Sequence, residues 1–167
     1  MNISHALFSP CQRYRYTLFR DLGMQRPQLT VVMLNPSTAD AVNDDPTIRR
    51  VIGFARSWGC GSLQVLNLFA IRATDPRAML AADEPVGPEN DEHLSRELKL
   101  AKTEGRFVLA AWGAHGGHRA RDFHVVHRLV AGVEWRCLGM THQGHPRHPL
   151  YVPKSQSLKP FVGGGGA

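Results

Sequence analysis

The sequence predicts an α/β fold: a three-layer αβα sandwich around a mostly parallel sheet with a four-strand core, preceded by an N-terminal edge hairpin. Two observations carry that class. Short apolar runs rich in β-branched residues recur along the chain, and the segments between them carry apolar residues at helical spacing. Strands alternating with helices fold into parallel crossovers that leave helices on both faces of the sheet. At 167 residues the chain has the length of one domain and can bury a full core. Residues 1–162 are therefore expected to form a single domain, with 163–167 a flexible Gly-rich tail.

Each element has a local reason. "CQRYRYTLFRDLG" alternates Tyr14, Tyr16 and Leu18 with Arg13 and Arg15, which is strand periodicity and suits an edge hairpin. "LTVVML" (Leu29–Leu34) is a continuous apolar run, as in a strand covered on both faces. Asp45-Pro46 reads as an N-cap followed by Pro in the first helical turn. Ile48, Val51, Ile52, Phe54 and Ala55 then continue the helix until Gly59. "LQVLNL" (Leu63–Leu68) is the second core strand, and "GPENDEHLSRELKLAK" an amphipathic helix with Leu94, Leu98 and Ala101 on one side. "RFVLAAW" (Arg106–Trp112) is the third strand, Arg121–Val130 a helix, and "EWRCLG" (Glu134–Gly139) the fourth strand.

Composition excludes several classes. Hydrophobic residues make up 43% and charged residues 20%, an ordinary globular balance. No apolar run is long enough to span a bilayer, and Met1-Asn-Ile-Ser-His lacks the marks of an export signal, so a cytoplasmic protein without membrane partners is expected. Cys11, Cys60 and Cys137 are far apart with no CxxC, and read as buried, reduced thiols. His142, His145 and His148 are spaced by three, but Pro146 and Pro149 exclude a helix that would gather them, so no metal site is expected. No Walker loop and no GxGxxG follows the first strand, and no cofactor is expected. The net charge of +6 favours phosphate-bearing partners.

Ligands of such sheets bind beyond the carboxyl ends of the strands. Nearly all the unusual chemistry of this chain falls there. Ten polar and small residues, Asn35 to Asp44, separate the first core strand from its helix, where about 2–6 is usual. Asn35 can position a water or brace its own loop. Pro36 stiffens the turn, and Ser37 and Thr38 offer hydroxyls and backbone N–H groups to an anion. Asp40 and Asp44 are unassigned carboxylates, open to a catalytic role or to simple solvation. Asn67 ends the second strand and can read a base edge through its amide; Phe69 can stack on a ring; Arg49, Arg50 and Arg72 can meet phosphate. The third strand leads to Trp112 and His115. The fourth leads to His148, a loop imidazole able to donate to an oxygen that gains charge, and then to Leu150 and Tyr151.

Six ordered motifs, "MLNPSTAD", "DDPTIRR", "VLNLFAIRATDP", "VGPEND", "AWGAHG" and "GHPRHPLY", together resemble the bacterial and phage family called domain of unknown function 1643, from about Ser9 to Val152. More distantly, their order resembles the uracil-DNA glycosylase superfamily. "MLNPS" is similar to the Gly-Ile-Asn-Pro-Gly motif of its mismatch-specific branch, which implies that Asn35 positions a hydrolytic water. "VLNL" implies Asn67 as reader of the pyrimidine edge. "HPLY" is similar to its His-Pro-Ser motif, implying His148 as the group that stabilises the departing base. Ser37 stands where that pattern has glycine, Leu150 where it has serine, and the iron–sulfur cysteines of some branches are missing.

These readings imply a nucleobase-processing protein, with N-glycosidic hydrolysis on a nucleic acid or nucleotide as the expected chemistry. Leu150 or Tyr151 would be the wedge for a flipped base. A non-catalytic nucleic-acid or nucleotide-binding module and another small-molecule enzyme on the same rim are the alternatives.

Overall fold

The computed structural model describes residues 3–163; most of the expected Gly-rich tail lies outside them. The strands are β1 (Ser4–Phe8), β2 (Arg15–Asp21), β3 (Gln28–Met33), β4 (Ser62–Asn67), β5 (Val108–Ala110), β6 (Trp135–Cys137) and β7 (Lys159–Pro160). They form one mixed sheet in the order β1-β2-β4-β3-β5-β6-β7. β4, β3, β5 and β6 run parallel. Antiparallel pairs add β2 and β1 at one edge and β7 at the other. The sheet is thus wider than the expected four core strands and hairpin; β7 is too short to show a sequence period.

Helix α1 (Pro46–Ser57) begins where its chemistry demands, with Asp45 Oδ1 accepting from the Ile48 N–H at 2.9 Å and Pro46 in the first turn. It stops at Gly59, whose φ of +72° reverses the chain at no steric cost. Asp75-Pro76 repeats this start and opens α2 (Pro76–Ala81), a helix too short for its periodicity to be read. α3 (Asn90–Thr103) carries the amphipathic pattern. The expected helix over Arg121–Val130 is different: one α turn (Arg121–Phe123) passes into a π-helix (His124–Leu129). Arg119 and Ala120, both at positive φ, lead into it.

Alternate residues of the central strands feed two cores. Leu29, Val31, Leu63 and Val65 pack with Ile48, Val51 and Phe54 of α1. Val32, Leu66, Val108 and Ala110 pack with Leu94, Leu98 and Ala101 of α3. Each such side chain contributes roughly 1.5–3 kcal/mol by leaving water, and a strand needed on both faces must be apolar throughout. No helix among the described residues is long and apolar enough to cross a membrane.

β2 departs most from its sequence pattern. Leu7 faces Thr17 but Phe8 faces Arg15, so β2 carries one extra residue in a bulge. Strict alternation would send Arg15 and Arg20 to opposite faces. With the bulge, both reach the loop between β3 and α1. Arg15 Nη1 donates to the Ala39 carbonyl at 2.8 Å. Arg20 donates to the carbonyls of Asp40 (2.6 Å) and Asn43 (3.2 Å) and pairs with Asp44 at 2.8 Å. Arg15, which the sequence pattern groups with Arg13 apart from Tyr14, Tyr16 and Leu18, is 2% exposed.

Replacing Arg20 by Ala strands those carbonyls and the Asp44 carboxylate. Because Asp44 keeps some solvent contact, the expected loss in denaturant unfolding is about 2–3 kcal/mol, against about 1 kcal/mol for Asp44→Asn. Faster amide exchange at Ala39–Asn43 should accompany the larger loss.

Candidate functional site

The strand connectivity reverses direction between β3 and β5: the chain leaves β3 for β4 on one side and returns to β5 on the other. A crevice opens at such a switch point, beyond the carboxyl ends of the strands. Here it is a cleft of about 380 Å³. Met33, Leu34, Asn35 and Ser37 come from the end of β3 and its loop, and Asn67 from the end of β4. Trp112, Gly113, Ala114 and His115 follow β5. Asp45, Thr47 and Ile48 open α1, and His148, Leu150 and Tyr151 come from the loop after β6. Arg15 of β2 and Ala73, Thr74 and Pro76 complete the lining, so seven stretches of chain meet there.

His148 is held in place by three contacts. The Gly113 N–H donates to the Pro146 carbonyl at 2.9 Å, tying the loops after β5 and β6 together. Gly113 has φ +74°, and a Cβ there would meet His148 Cβ at 3.5 Å. Arg50 donates to the carbonyls of Pro149 (3.2 Å) and Val152 (2.6 Å), fastening the same turn to α1. His148 Nδ1 accepts from the Leu150 N–H at 3.2 Å and so caps the short 3₁₀ turn Pro149–Tyr151. With Nδ1 accepting, the neutral ring carries its proton on Nε2, a donor. Burial holds the imidazole pKa below its ordinary value, opposed by the charge of Asp45.

Asn35 is partly committed. Its Nδ2 donates to the carbonyls of Ala73 (2.9 Å) and Pro36 (3.1 Å), which leaves Oδ1 as its working atom. Asn67 is 1% exposed, and its Nδ2 has no hydrogen-bond partner among the described residues. Asn90 donates to the Asn67 and Leu68 carbonyls and fixes the end of β4. Trp112 is a wall of the cleft and equally a core residue, edge-on to Trp135 and Phe161. Gly116 lies so close over its indole that a Cβ would stand 2.0 Å from Cδ1. Leu150 and Tyr151 form an exposed apolar lip, 40% and 74% accessible.

The other expected residues lie outside the cleft lining. Asp40 accepts from the N–H groups of Val42 (2.9 Å) and Asn43 (2.8 Å), which draws its pKa down to about 2; Asp44 pairs with Arg20. Both carboxylates shape the loop. Pro36 is buried in its turn. Phe69 is fully buried in the core, closed to a substrate ring. Thr38 and Arg72 border a shallow depression beside the cleft, where Arg72 lies 4.8 Å over the Phe8 ring. Arg49 is exposed and donates to the Asp44 carbonyl. Cys60 and Cys137 are buried, whereas Cys11 is exposed. Among the described residues no group of His, Cys, Asp and Glu is placed to hold a metal.

Two charged cleft residues escaped the sequence reading. Asp45, read only as a cap, also faces the cleft, with Oδ2 accepting from the Ala39 N–H at 3.3 Å. Arg15 lies in the cleft lining, its pKa pushed down to about 10 by burial and partly restored by Asp45.

A family model described as a protein of unknown function (DUF1643) matches residues 15–150. The chain belongs to this family. No curated protein and no solved structure matches it. The stretch shared with the DUF1643 family opens at Arg15 and closes at Leu150, so it contains every cleft-lining residue except Tyr151. β1 lies outside it and serves to close the sheet edge and form the bulge.

The His148 cap gives a pH prediction with a definite sign. The folded pKa is depressed, so the unfolded chain takes the proton first as pH falls. The stability contributed by neutral His148 is present above the ordinary histidine pKa and is lost as pH drops through the folded value. Protonation also turns Nδ1 into a donor facing the Leu150 N–H. An NMR titration should show a low His148 pKa, with Leu150 amide protection disappearing in the same transition.

Proposed function

We propose that the cleft receives a nucleobase with its attached sugar-phosphate and that the chain hydrolyses the N-glycosidic bond. The observation that supports this reading best is the convergence of Asn35, Asn67 and His148, from three separate chain segments, on one cleft. The resemblance of their motifs to the uracil-DNA glycosylase superfamily supports a related fold and the same division of labour. In this reading the carbon–nitrogen bond breaks with its electron pair passing to the base. Water oxygen bonds to the anomeric carbon, and a water proton ends on the base. Asn35 Oδ1 holds the water, His148 Nε2–H donates to the base oxygen as charge develops, and Asn67 reads the inserted edge. For a duplex substrate the exposed Tyr151 and Leu150 take the place of the extruded base.

Binding without cleavage is the second reading, and a specific observation favours it. Each oxygen of Asp45 already accepts a backbone N–H, so the carboxylate in the cleft is committed to the fold.

One assay separates the two. The protein is incubated with oligonucleotides containing uracil, hypoxanthine or modified bases, and with nucleosides and nucleotides, and released base is measured by mass spectrometry. Hydrolysis predicts release that Asn35→Ala abolishes and His148→Ala slows on the order of 10²–10³-fold. Tyr151→Ala should depress release from duplex far more than from free nucleoside. Saturable binding with no release anywhere in the panel would leave only the second reading.

A further inference from the structure

The floor of the cleft holds donors with nothing to donate to. The Arg15 side chain makes a single hydrogen bond among the described residues, from Nη1 to the Ala39 carbonyl. Its Nε–H is buried and has no partner. Nε–H and Nη2–H lie side by side along one edge of a guanidinium, the edge that grips two neighbouring acceptors at once. Asn67 Nδ2 is a further buried donor without a partner in the same lining. Folded proteins rarely leave such groups unpaired, because each one costs its full desolvation. A ligand is their natural partner.

The kind of ligand follows from charge and geometry. A lone buried guanidinium would suit a phosphate. Arg15, however, shares the cleft with Asp45, close enough for the carboxylate to act on its ionisation. The pair is close to neutral, and a phosphate dianion would sit against the Asp45 carboxylate. A neutral group bearing acceptors fits better. Among base edges, O6 and N7 of a 6-oxopurine present two adjacent acceptors, the pattern an arginine fork matches. Adenine sets its N6 donor against Arg15, and the uracil O4 offers a single acceptor.

We propose that Arg15 and Asn67 form an acceptor-reading floor that selects a 6-oxopurine base. This rests on the reading of the cleft as a nucleobase site, not on bond cleavage. Arg15 also stands where negative charge would collect if the base departs with its electron pair.

Calorimetric titration of the intact protein with inosine, adenosine, uridine and 7-deazainosine tests this without altering the chain. Inosine should bind about tenfold or more tightly than adenosine or uridine, and 7-deazainosine, which lacks the N7 acceptor, should lose that advantage. Arg15→Gln should abolish the preference while the circular dichroism spectrum is retained. If that variant does not fold, the comparison of inosine with 7-deazainosine still decides. Equal binding of inosine and 7-deazainosine, adenosine binding as tightly as inosine, or no nucleoside binding at all would overturn the proposal. Release of a pyrimidine base without purine preference would overturn it while leaving glycosidic hydrolysis standing. An inosine preference with no base release would support it and end the hydrolytic reading.

Discussion

The grip of Arg20 on the loop between β3 and α1 is the interaction on which the site depends. One guanidinium gathers the carbonyls of Asp40 and Asn43 and the carboxylate of Asp44. Arg15 adds the Ala39 carbonyl from the same strand. These contacts also account for the length of the loop. β2 is separated from β3 by β4, so a chain leaving β3 must travel about two strand spacings, roughly 10 Å, to reach the arginines, and then return to start α1. A connection of usual length could not do both. The loop walls the cleft because two β2 side chains hold it there.

The parts of the fold with a period were legible in the sequence. β3 and β4 are apolar throughout, α3 is amphipathic, and Asp45-Pro46 is a capping signal. The rim was legible too, since a residue just beyond a strand of a parallel sheet is carried to the same edge. Asn35 and Asn67 met for that reason, whereas His148, well past the end of β6, is returned to the rim by the Gly113–Pro146 hydrogen bond and by Arg50. What escaped depends on irregularity. A bulge shifts alternation by one residue and leaves no trace in the composition of β2, so Arg15 reads only as part of an edge hairpin and not as a cleft residue. The carboxylates Asp40 and Asp44 escaped because their partners, two backbone N–H groups and an arginine twenty-four residues upstream of Asp44, are set by the loop's path. Phe69 follows Asn67 by two residues, which in an ideal strand shares its face. β4 ends at Asn67, and the turn beyond buries Phe69 in the opposite core.

The basic composition takes on another meaning in the structure. A net charge of +6 suggested a surface made for phosphate. Many of the arginine donors behind that charge are engaged within the fold. Arg15, Arg20, Arg50 and Arg121 all donate to backbone carbonyls of segments distant in sequence, and Arg119 does the same from the surface. Long irregular connections leave carbonyls without ladder partners, and arginine, with five donors on a planar head, can satisfy several of them from one position. In this fold arginine side chains supplement backbone–backbone hydrogen bonds as partners of loop carbonyls. Arginines counted from composition therefore overstate the donors free to grip a phosphate, although the net charge is unchanged.

The same use of arginine couples the cleft to stability. Arg15 is fixed at one end by the Ala39 carbonyl, and Asp45 joins the loop to the first turn of α1 through the N–H groups of Ala39 and Ile48. A movement of Arg15 toward a ligand acceptor is thus a movement of the loop and of the helix start. The unpaired Nε–H of Arg15 and Nδ2 of Asn67 weigh against the empty fold, each by roughly 1–3 kcal/mol. An acceptor arriving at the floor removes part of that penalty from the native state alone, so occupancy stabilises the fold by mass action. If the proposed floor takes an acceptor, recognition and rigidity draw on one set of hydrogen bonds, and filling the cleft orders it.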